Sequence, residues 1–291
     1  MGLPAKKSTY HQSKPTRPLV RYLGGKWMLA PWIISHFPAH KMYVEPCCGG
    51  GNVLLRKDRS RGEVLNDKDS SIVNLFQIMR NPKQAKILQE LLYLTPFARK
   101  ELELAQQHSD DPMESARRMV VRSFMGFSTE AVVNTRKTGF RTVRSGSGDL
   151  PANNWPTYID VLPKITNRLQ GVTIENRDAL EIIQRFDGVD TLHFIDPPYP
   201  TETRVVNGGK YAHEMDTEDH RNLASTLHGL KGMVIISGYQ CPLYNDELYP
   251  DWYQVCKKTT ANGRKGSTSR VECLWINQAA QNRRKGQLNL F

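Results

Sequence analysis

The sequence predicts an α/β protein in which a sheet with helices on both faces is interrupted by one mainly helical insertion. Apolar runs of four or five residues alternate with helical patterns in both end regions of the 291-residue chain, a pattern typical of such sheets. Between these regions, helical periodicity dominates from about residue 71 to residue 127. The length suffices for one large core and a smaller attached module.

Composition divides the chain into four parts. Residues 1–18 are basic and lack an apolar centre, so we expect a flexible arm. A larger domain is expected to comprise residues 19–70 and 165–277, with residues 71–164 inserted as a second module. Residues 278–291 are expected to form a tail, because the run QNRRKG within them has no apolar periodicity and predicts no regular structure.

The elements of the amino-terminal half follow from short apolar runs and glycine. Residues 42–45 (MYVE) predict a short buried strand, and the glycine run 49–51 leads into an apolar helix start, NVLL. Residues 63–66 (EVLN) predict a second strand, after which the spacing becomes helical to about residue 127. Residues 128–163 are rich in glycine and basic residues, which predicts an exposed basic hairpin or loop.

Strands and helices alternate again in the carboxyl-terminal half. Strands are predicted at residues 172–175, 191–195 and 233–237, with helices between them at residues 179–186 and 218–230. Alternation of this kind favours further strands of the same sheet, connected by helices that cover its faces.

Charge and cysteine usage narrow the class of protein. The net charge of +11 favours a polyanionic partner such as nucleic acid. The chain has an odd number of cysteines and no CxxC pair, so we expect neither a disulfide framework nor a metal site, and a reducing cytoplasm. No apolar run approaches the roughly 20 residues that span a bilayer, so no membrane partner is expected.

The tetrapeptide Asp196-Pro197-Pro198-Tyr199 is the strongest candidate for catalysis. It directly follows the apolar run TLHFI, which places it at the carboxyl end of a strand, where open α/β sheets bind ligands. Two prolines stiffen the turn, so that the carboxylate of Asp196 and the carbonyl of Pro197 are preplaced acceptors. They suit the activation of a poorly nucleophilic amino group such as that of adenine, and Tyr199 offers a flat face to an extruded base. An ordinary proline-rich turn is the alternative.

Two glycine-containing turns predict a site for a nucleotide-like cofactor. The segment EPCCGGG lies between a strand and a helix, where glycines permit a tight turn and close approach of the backbone to a ligand. Asp67 ends the next strand and can accept hydrogen bonds from ribose hydroxyls, with a helix N-cap as the alternative role. The segment RYLGGK adds a cation, Lys26, and an aromatic ring, Tyr22.

These motifs, in this order, resemble the Dam-like family of DNA adenine methyltransferases. RYLGGK is similar to the family's N-terminal cofactor motif, EPCCGGG to its glycine loop, LNDKD to its ribose-binding segment and DPPY to its catalytic motif. NRDA falls where the family has an acidic residue near the cofactor's adenine, and YAHEM, VIISGY and TSRVECLWIN resemble later elements. The resemblance covers roughly residues 20–277. One departure is Cys47, which stands where many relatives carry Phe and so affects the packing expected around the cofactor.

The resemblance implies an S-adenosylmethionine-dependent methyltransferase with a Rossmann-like mixed sheet, in which the larger domain is catalytic and the insertion is a mainly helical target-recognition domain. It implies methyl transfer to the amino nitrogen of an adenine flipped out of double-stranded DNA, with S-adenosylmethionine as cofactor and no metal. Within that site, Lys26 would meet the methionine carboxylate and Tyr22 would lie near the sulfonium. The cofactor-binding residues expected from the motifs are Tyr22, Lys26, Glu45, Pro46, Cys48, Gly49, Gly51, Asp67, Asp178, Ala179 and Asp196.

Contacts to DNA are expected from two segments. In the insertion, Arg136, Lys137, Arg141 and Arg144 would contact phosphates and base edges. Tyr211 follows the catalytic motif in a segment that contains two glycines, and we expect that segment to close over the site as a lid when DNA delivers the adenine.

Other functions remain as alternatives. An RNA adenine methyltransferase would use the same amino chemistry, and a DNA-binding regulator that has lost catalysis would share the basic surface. A cytosine C5 methyltransferase, with Cys47 as nucleophile, is disfavoured because Cys47 opens the glycine loop. Enzymes that methylate the cytosine or glutamine nitrogen begin the tetrapeptide with Ser or Asn, and Asp196 argues against both.

The carboxyl terminus, QLNLF, predicts a partner. It resembles the short peptide with which bacterial DNA-processing enzymes dock onto the sliding clamp, in which Gln287, Leu288, Leu290 and Phe291 would occupy the clamp's pockets. The alternative is that these residues fold back onto the enzyme. The expected setting is the cytoplasm of a bacterium, with a phage-encoded origin left open.

Overall fold

The computed structural model describes residues 14–127, 129–132, 137–142, 150–204, 211–263 and 266–288. In this part of the chain, seven strands form one sheet. They are β1 (Met42–Glu45), β2 (Gly62–Asn66), β3 (Thr173–Glu175), β4 (Thr191–Ile195), β5 (Met233–Tyr239), β6 (Tyr253–Gly263) and β7 (Gly266–Ile276). The helices are α1 (Ala30–Ile34), α2 (Asn52–Arg56), α3 (Ser70–Arg80), α4 (Pro82–Tyr93), α5 (Arg99–Ala105), α6 (Pro112–Met125), α7 (Asn154–Ile159), α8 (Leu162–Leu169), α9 (Ala179–Arg185), α10 (Thr217–His228) and α11 (Gln278–Leu288).

The sheet is mixed, in the order β3-β2-β1-β4-β5-β7-β6. The first five strands in this order run parallel, whereas β7 is antiparallel to β5 and β6 is antiparallel to β7. The five strands predicted from apolar runs are all present, with ends that differ by at most two residues from the expected ones. The mixed α/β class predicted from the sequence is therefore confirmed.

Both faces of the sheet are covered, which explains why its central strands β1 and β4 are mainly apolar and almost entirely buried. All five residues of β4 are buried, as a parallel strand between two neighbours requires. On one face, Leu192 and Phe194 join a core built with the amino-terminal helices and the insertion. On the other face, Ile195 packs in a core with Ile183 of α9 and Leu223 of α10.

The inserted helices α3 to α8 share the larger core rather than forming a separate one. Helix α3 packs against α4, α6, α8 and the edge strand β3. A buried ion pair joins the two parts of the chain: Glu63 of β2 accepts hydrogen bonds from Arg168 of α8 at 2.6 and 2.8 Å. The separate target-recognition role of the insertion stays a prediction.

The expected basic hairpin, residues 128–163, is partly described. A single antiparallel bridge joins Gly126 to Phe140, and α7 and the start of α8 occupy the later part, where no helix was expected. Lys137 is exposed and Arg141 is half-buried at the base of this segment. Arg136 and Arg144 lie outside the described residues, so their contacts with DNA stay predictions.

The tail differs from its expectation. The run expected to lack regular structure is helical, in α11, where Ala280 is buried in the core and Arg283 donates to Asp190 at 2.8 Å. The sequence of α11 has almost no apolar periodicity, so its helix depends on these tertiary contacts. Leu290 and Phe291 lie outside the described residues, and docking on a sliding clamp stays a prediction. Among the described residues, no helix is long and apolar enough to cross a membrane.

The expectation of no disulfide was wrong. Cys256 of β6 and Cys273 of β7 are joined by a disulfide, and the two residues are register partners in the antiparallel ladder. Their separation of 17 residues matches no sequence pattern that predicts a disulfide, because the register of β6 against β7 alone brings the two cysteines together. Cys47, Cys48 and Cys241 are free thiols.

Candidate active site

A cleft opens at the carboxyl edge of the parallel strands, where the segments that follow β1, β2, β3 and β4 meet. It therefore gathers residues from RYLGGK, EPCCGGG, LNDKD, NRDA, DPPY and YAHEM, although these are far apart in the chain, whereas VIISGY and TSRVECLWIN do not line it. Gly51, Pro197 and Tyr199, also expected at the site, do not line it. The expected site residues that do line the cleft are Tyr22, Lys26, Glu45, Pro46, Cys48, Gly49, Asp67, Asp178, Ala179, Asp196, Pro198 and Tyr211.

The turn between β1 and α2 depends on glycine. Gly49 and Gly51 have φ values of 46° and 60°, in the left-handed region that side chains disfavour. The ring of Tyr22 lies directly on Gly49, since a Cβ there would stand 2.8 Å from Cδ1 of Tyr22. The Tyr22 ring therefore fills the space that a side chain at Gly49 would need.

Asp67 holds the glycine turn against the second strand. Its Oδ2 accepts from the amide of Gly49 at 2.7 Å and its Oδ1 from the amide of Asp69 at 2.9 Å. Burial raises the pKa of Asp67 to about 6, although these amides favour the ionised form. Asp69, not Asp67, caps α3 by accepting from the amide of Ser71, so the alternative role of Asp67 as an N-cap was wrong.

Asn66 is a positioning residue that sequence reasoning missed. The buried amide of Asn66 donates to the carbonyl of Pro46 at 2.8 Å and to that of Arg177 at 3.1 Å. It also accepts from the amide of Arg177 at 2.9 Å. Asn66 therefore ties the glycine loop to the segment that carries Asp178, whose carboxylate is exposed and caps α9. Only its place at the end of an apolar strand could have drawn attention to it.

Asp196 is held by one of its two carboxylate oxygens. Oδ1 accepts from the hydroxyl of Ser237, in the neighbouring strand β5, at 2.6 Å and lies 3.0 Å from Nζ of Lys26. Among the described residues, no hydrogen bond engages Oδ2. The orientation of the carboxylate is thus set from one side, and its second oxygen remains able to accept hydrogen bonds.

Lys26 is a buried cation beside two carboxylates. It is 5% exposed, donates to the carbonyl of Gly24 at 2.9 Å and lies 4.8 Å from the centroid of the Tyr199 ring. Burial opposes its charge, but the carboxylates of Asp196 and Glu272 outweigh burial and raise the pKa of Lys26. Lys26 therefore pairs with the catalytic motif, a partner that the sequence did not predict.

Tyr199 is held from below by Glu272, a second residue that sequence reasoning missed. The ring is 6% exposed, and its hydroxyl donates to Oε2 of Glu272 at 2.9 Å. Burial raises the pKa of Tyr199 well above its usual value, so the phenol stays protonated as a donor. Burial also raises the pKa of Glu272, which the charge of Lys26 opposes. Glu272 lies within TSRVECLWIN, but its local sequence indicates no role, because only strand order brings β7 beneath DPPY.

Tyr211 closes one side of the cleft. Its hydroxyl lies against Gly24, where any side chain would collide with it. The guanidinium of Arg204 lies 4.9 Å from the centroid of the Tyr211 ring, donates to the carbonyl of Tyr199 at 2.8 Å and pairs with Glu214. Arg204 thus connects Tyr211 to the catalytic motif.

Glu45 and Cys48 are buried and Cys47 is half-buried at the head of the glycine loop, and burial opposes the ionisation of all three. Burial raises the pKa of Glu45 to about 8, although hydrogen bonds from the Tyr43 hydroxyl and the Leu54 amide oppose this, so Glu45 is largely neutral near pH 7. Burial also raises the pKa values of Cys47 and Cys48. A thiol that resists ionisation is a poor nucleophile, which argues further against cytosine C5 chemistry.

Comparison with known proteins agrees with this geometry. The family model for "D12 class N6 adenine-specific DNA methyltransferase" matches residues 22–261, which is most of the chain. The chain belongs to the D12 class of N6 adenine-specific DNA methyltransferases. The family resemblance seen in the sequence motifs is therefore confirmed.

Individual relatives are similar over most of their length. The DNA adenine methylase of Escherichia coli (strain K12) is 24% identical over 268 residues, covering 88% of this chain and 91% of the relative. The type II methyltransferase M1.LlaDCHI of Lactococcus lactis subsp. cremoris is 28% identical, covering 87% and 91%. The DNA adenine methylase of Vibrio cholerae serotype O1 is 28% identical, covering 68% and 71%.

The D12 family fixes the reaction class. The protein is an adenine-specific DNA methyltransferase, and a methyltransferase of this kind implies S-adenosylmethionine as the methyl donor. DNA rather than RNA is the substrate, which answers the alternative of RNA adenine methylation.

Proposed function

We propose that the protein binds S-adenosylmethionine in the cleft and methylates an adenine that is flipped out of double-stranded DNA. The observation that carries this proposal is the carboxylate of Asp196, anchored through Oδ1 by Ser237 and Lys26 while Oδ2 stays without a described partner. An acceptor held in advance is what the activation of a weak amino nucleophile requires.

The cleft fits the cofactor at three places. Gly49 and the ring of Tyr22 that packs on it line one part of the cleft, where a ligand would contact both. Asp67 offers carboxylate oxygens at the position of a ribose, and Asp178 and Ala179 line the far end, where an adenine would bind. Oδ1 of Asn52, in the lining of the cleft, is buried without a hydrogen-bond partner. When bound, S-adenosylmethionine supplies an electrophilic methyl group.

The catalytic motif acts on the amino group of the adenine. The free Oδ2 of Asp196 and the carbonyl of Pro197 would each accept one N–H hydrogen bond, which favours a tetrahedral nitrogen with an available lone pair. Lys26 and Ser237 prevent rotation of the Asp196 carboxylate during this step. A carboxylate at this position can also take up the proton that the methylated nitrogen releases.

Two tyrosines would hold the flipped base. Tyr211 is partly exposed in the cleft lining, which suits contact with an incoming base. Residues 205–210 of the expected lid lie outside the described residues, so closure of the lid stays a prediction. Tyr199 is covered when no DNA is bound, so stacking on its ring requires the base to displace its neighbours. Base–aromatic stacking contributes about 1–3 kcal/mol per base.

Replacement of Asp196 tests the proposal. Asp196→Ala should lower the rate of methyl transfer to duplex DNA by about a hundredfold or more, with unchanged calorimetric binding of S-adenosylmethionine. The exposed carboxylate of Asp251, before β6, provides the control variant Asp251→Ala. Fluorescence of 2-aminopurine at the target position should rise on binding to both variants, because flipping does not need Asp196. Near-normal turnover by Asp196→Ala would refute the catalytic assignment.

A further inference from the structure

The hairpin formed by β6 and β7 continues beyond the rest of the sheet. Strand β5 ends at Tyr239, which pairs with Glu272, whereas β6 and β7 go on pairing from Lys258 with Val271 to Gly263 with Gly266. These six further register pairs correspond to roughly 20 Å of two-stranded ribbon. We call this hairpin, from Lys257 to Val271, the ribbon, of which residues 264–265 lie outside the described residues.

The direction of the ribbon follows from strand polarity. Tyr239 is the carboxyl end of β5, and Asp196 follows the carboxyl end of the adjacent parallel strand β4. Because β7 is antiparallel to β5, the ribbon leaves the sheet at this same edge. It therefore projects on the side from which DNA must reach Asp196.

The ribbon is uniformly basic. It contains five Lys or Arg residues and no Asp or Glu, and the remainder is mainly Thr, Ser, Gly and Asn. Of the described side chains, Lys257 and Lys258 are exposed, and Arg270 is half-buried with its guanidinium 5.1 Å from the ring of Tyr239. Nε of Arg270 is buried without a hydrogen-bond partner.

A groove lies at the root of the ribbon, beside the catalytic motif. Thr203 and Arg204, which follow DPPY, face Ser269 and Arg270 across it. Arg204 and Thr203 already donate to the carbonyls of Tyr199 and Pro200, which leaves the guanidinium of Arg270 and the hydroxyl of Ser269 as donors for a phosphate oxygen. Arg204 connects the groove to the catalytic motif, because it donates to the carbonyl of Tyr199.

We propose that the ribbon is a DNA-binding element, in which Lys257, Lys258 and Arg270 contact phosphates of the duplex that carries the target adenine. A two-stranded ribbon has the width that the major groove of DNA admits, and its charge is complementary to the backbone. This surface is separate in the sequence from the basic segment of the insertion. The inference rests on the proposed function, since it places the substrate of that same site.

Binding measured against salt concentration tests the ribbon. The variant Lys257→Gln/Lys258→Gln should bind a fluorescent random-sequence duplex more weakly, and the slope of log Kd against log salt should fall by about 2, at roughly 0.9 per phosphate contact. Lys231→Gln/Lys285→Gln removes the same charge from exposed residues at the opposite edge of the sheet and should leave the slope unchanged. Lys257→Arg/Lys258→Arg should restore it.

The outcomes separate this inference from the proposed function. All variants should bind S-adenosylmethionine and unfold thermally like the original protein, because the altered side chains are exposed. If the ribbon variant and the control variant show the same slope, the ribbon does not bind DNA, even when the original protein methylates normally. If the original protein fails to methylate any duplex, the proposed function fails, whatever the slopes are.

Discussion

At the scale of single residues, the site is organised around charges that are removed from water. Lys26 contacts Asp196 and lies near Glu272, so one ammonium group is shared between two carboxylates in a buried place. Such an arrangement is stable only while the ammonium group and the carboxylates are both present, because an uncompensated buried charge is strongly destabilising. The orientation of DPPY therefore depends on residues from the amino-terminal turn and from β7.

Glu272 should act as a positioning residue through Tyr199. Replacing it by Gln weakens a charge-assisted hydrogen bond of about 1.5–3 kcal/mol, so we expect kcat to fall by about tenfold or more while the Kd of S-adenosylmethionine is unchanged. In a Tyr199→Phe background the same replacement should add little, because its target hydroxyl is gone. Glu247→Gln, which alters an exposed pair with Arg221, is the control. Equal losses in both backgrounds would contradict this role.

Asp67 should make cofactor affinity depend on pH. Its pKa of about 6 lies above the usual value, so the carboxylate is protonated below pH 6 and loses its capacity to accept from both ribose hydroxyls. The Kd of S-adenosylmethionine, measured by calorimetry, should be constant above pH 7 and should rise by about tenfold per unit below pH 6. Asp67→Asn should bind weakly at every pH, without this inflection, whereas Asp178→Asn should keep the inflection.

At the scale of elements, the glycine turn from β1 to α2 is held in place by side chains from other parts of the chain. The helix α2 has only five residues and begins at a left-handed Gly51, so the turn is held by side chains from elsewhere rather than by the helix itself. Tyr22 from above and Asp67 from β2 supply that support.

Gly49→Ala should separate backbone strain from the contact with Tyr22. An alanine in the left-handed region costs about 1–2 kcal/mol, and here its Cβ would also stand 2.8 Å from the Tyr22 ring. Gly171 has a φ of 81° with no atom near its absent Cβ, so Gly171→Ala carries the strain alone. We expect both variants to lose stability in thermal unfolding and only Gly49→Ala to lose affinity for S-adenosylmethionine. Equal affinities of the two variants for S-adenosylmethionine would show that the Tyr22 ring moves aside without affecting cofactor binding.

At the scale of the whole molecule, helix α8 and the sheet are joined through buried charge as well as apolar packing. Glu63 is enclosed by Arg168 and by Lys57, whose Nζ lies 2.7 Å from Oε1. Burial opposes the charge of Glu63, but both cations outweigh it and lower its pKa. Its contribution to stability is therefore present above pH 4.5 and is lost as the pH falls below that value.

Glu63→Gln should destabilise the protein by about 3–5 kcal/mol, because it leaves Arg168 and Lys57 buried without an anion. The exposed pair of Glu247 with Arg221 provides the comparison, and Glu247→Gln should cost less than about 1 kcal/mol. Urea unfolding near neutral pH measures both, and the difference should shrink as the pH is lowered toward 4. A similar small loss for both variants would mean that water reaches the Glu63 site.

The sequence by itself determined the elements whose cause is local. The strands β1 and β4 are continuous apolar runs, the glycine turn needs residues without Cβ, and DPPY follows β4 directly. Periodicity, turn chemistry and strand ends are properties of neighbouring residues, so they can be predicted without knowing the rest of the fold. Most of the cleft lining followed from these motifs.

The tertiary structure alone decided which distant side chains contact each other. Glu272 is 73 residues from Tyr199, and Arg168 is 105 residues from Glu63. The pairing of Cys256 with Cys273, the helix α11 and the ribbon likewise depend on strand order and register. The physical reason is that such contacts are set by how strands assemble. The sequence around Glu272 would be the same whether its carboxylate met solvent or a buried tyrosine, so neighbouring residues do not reveal the partner.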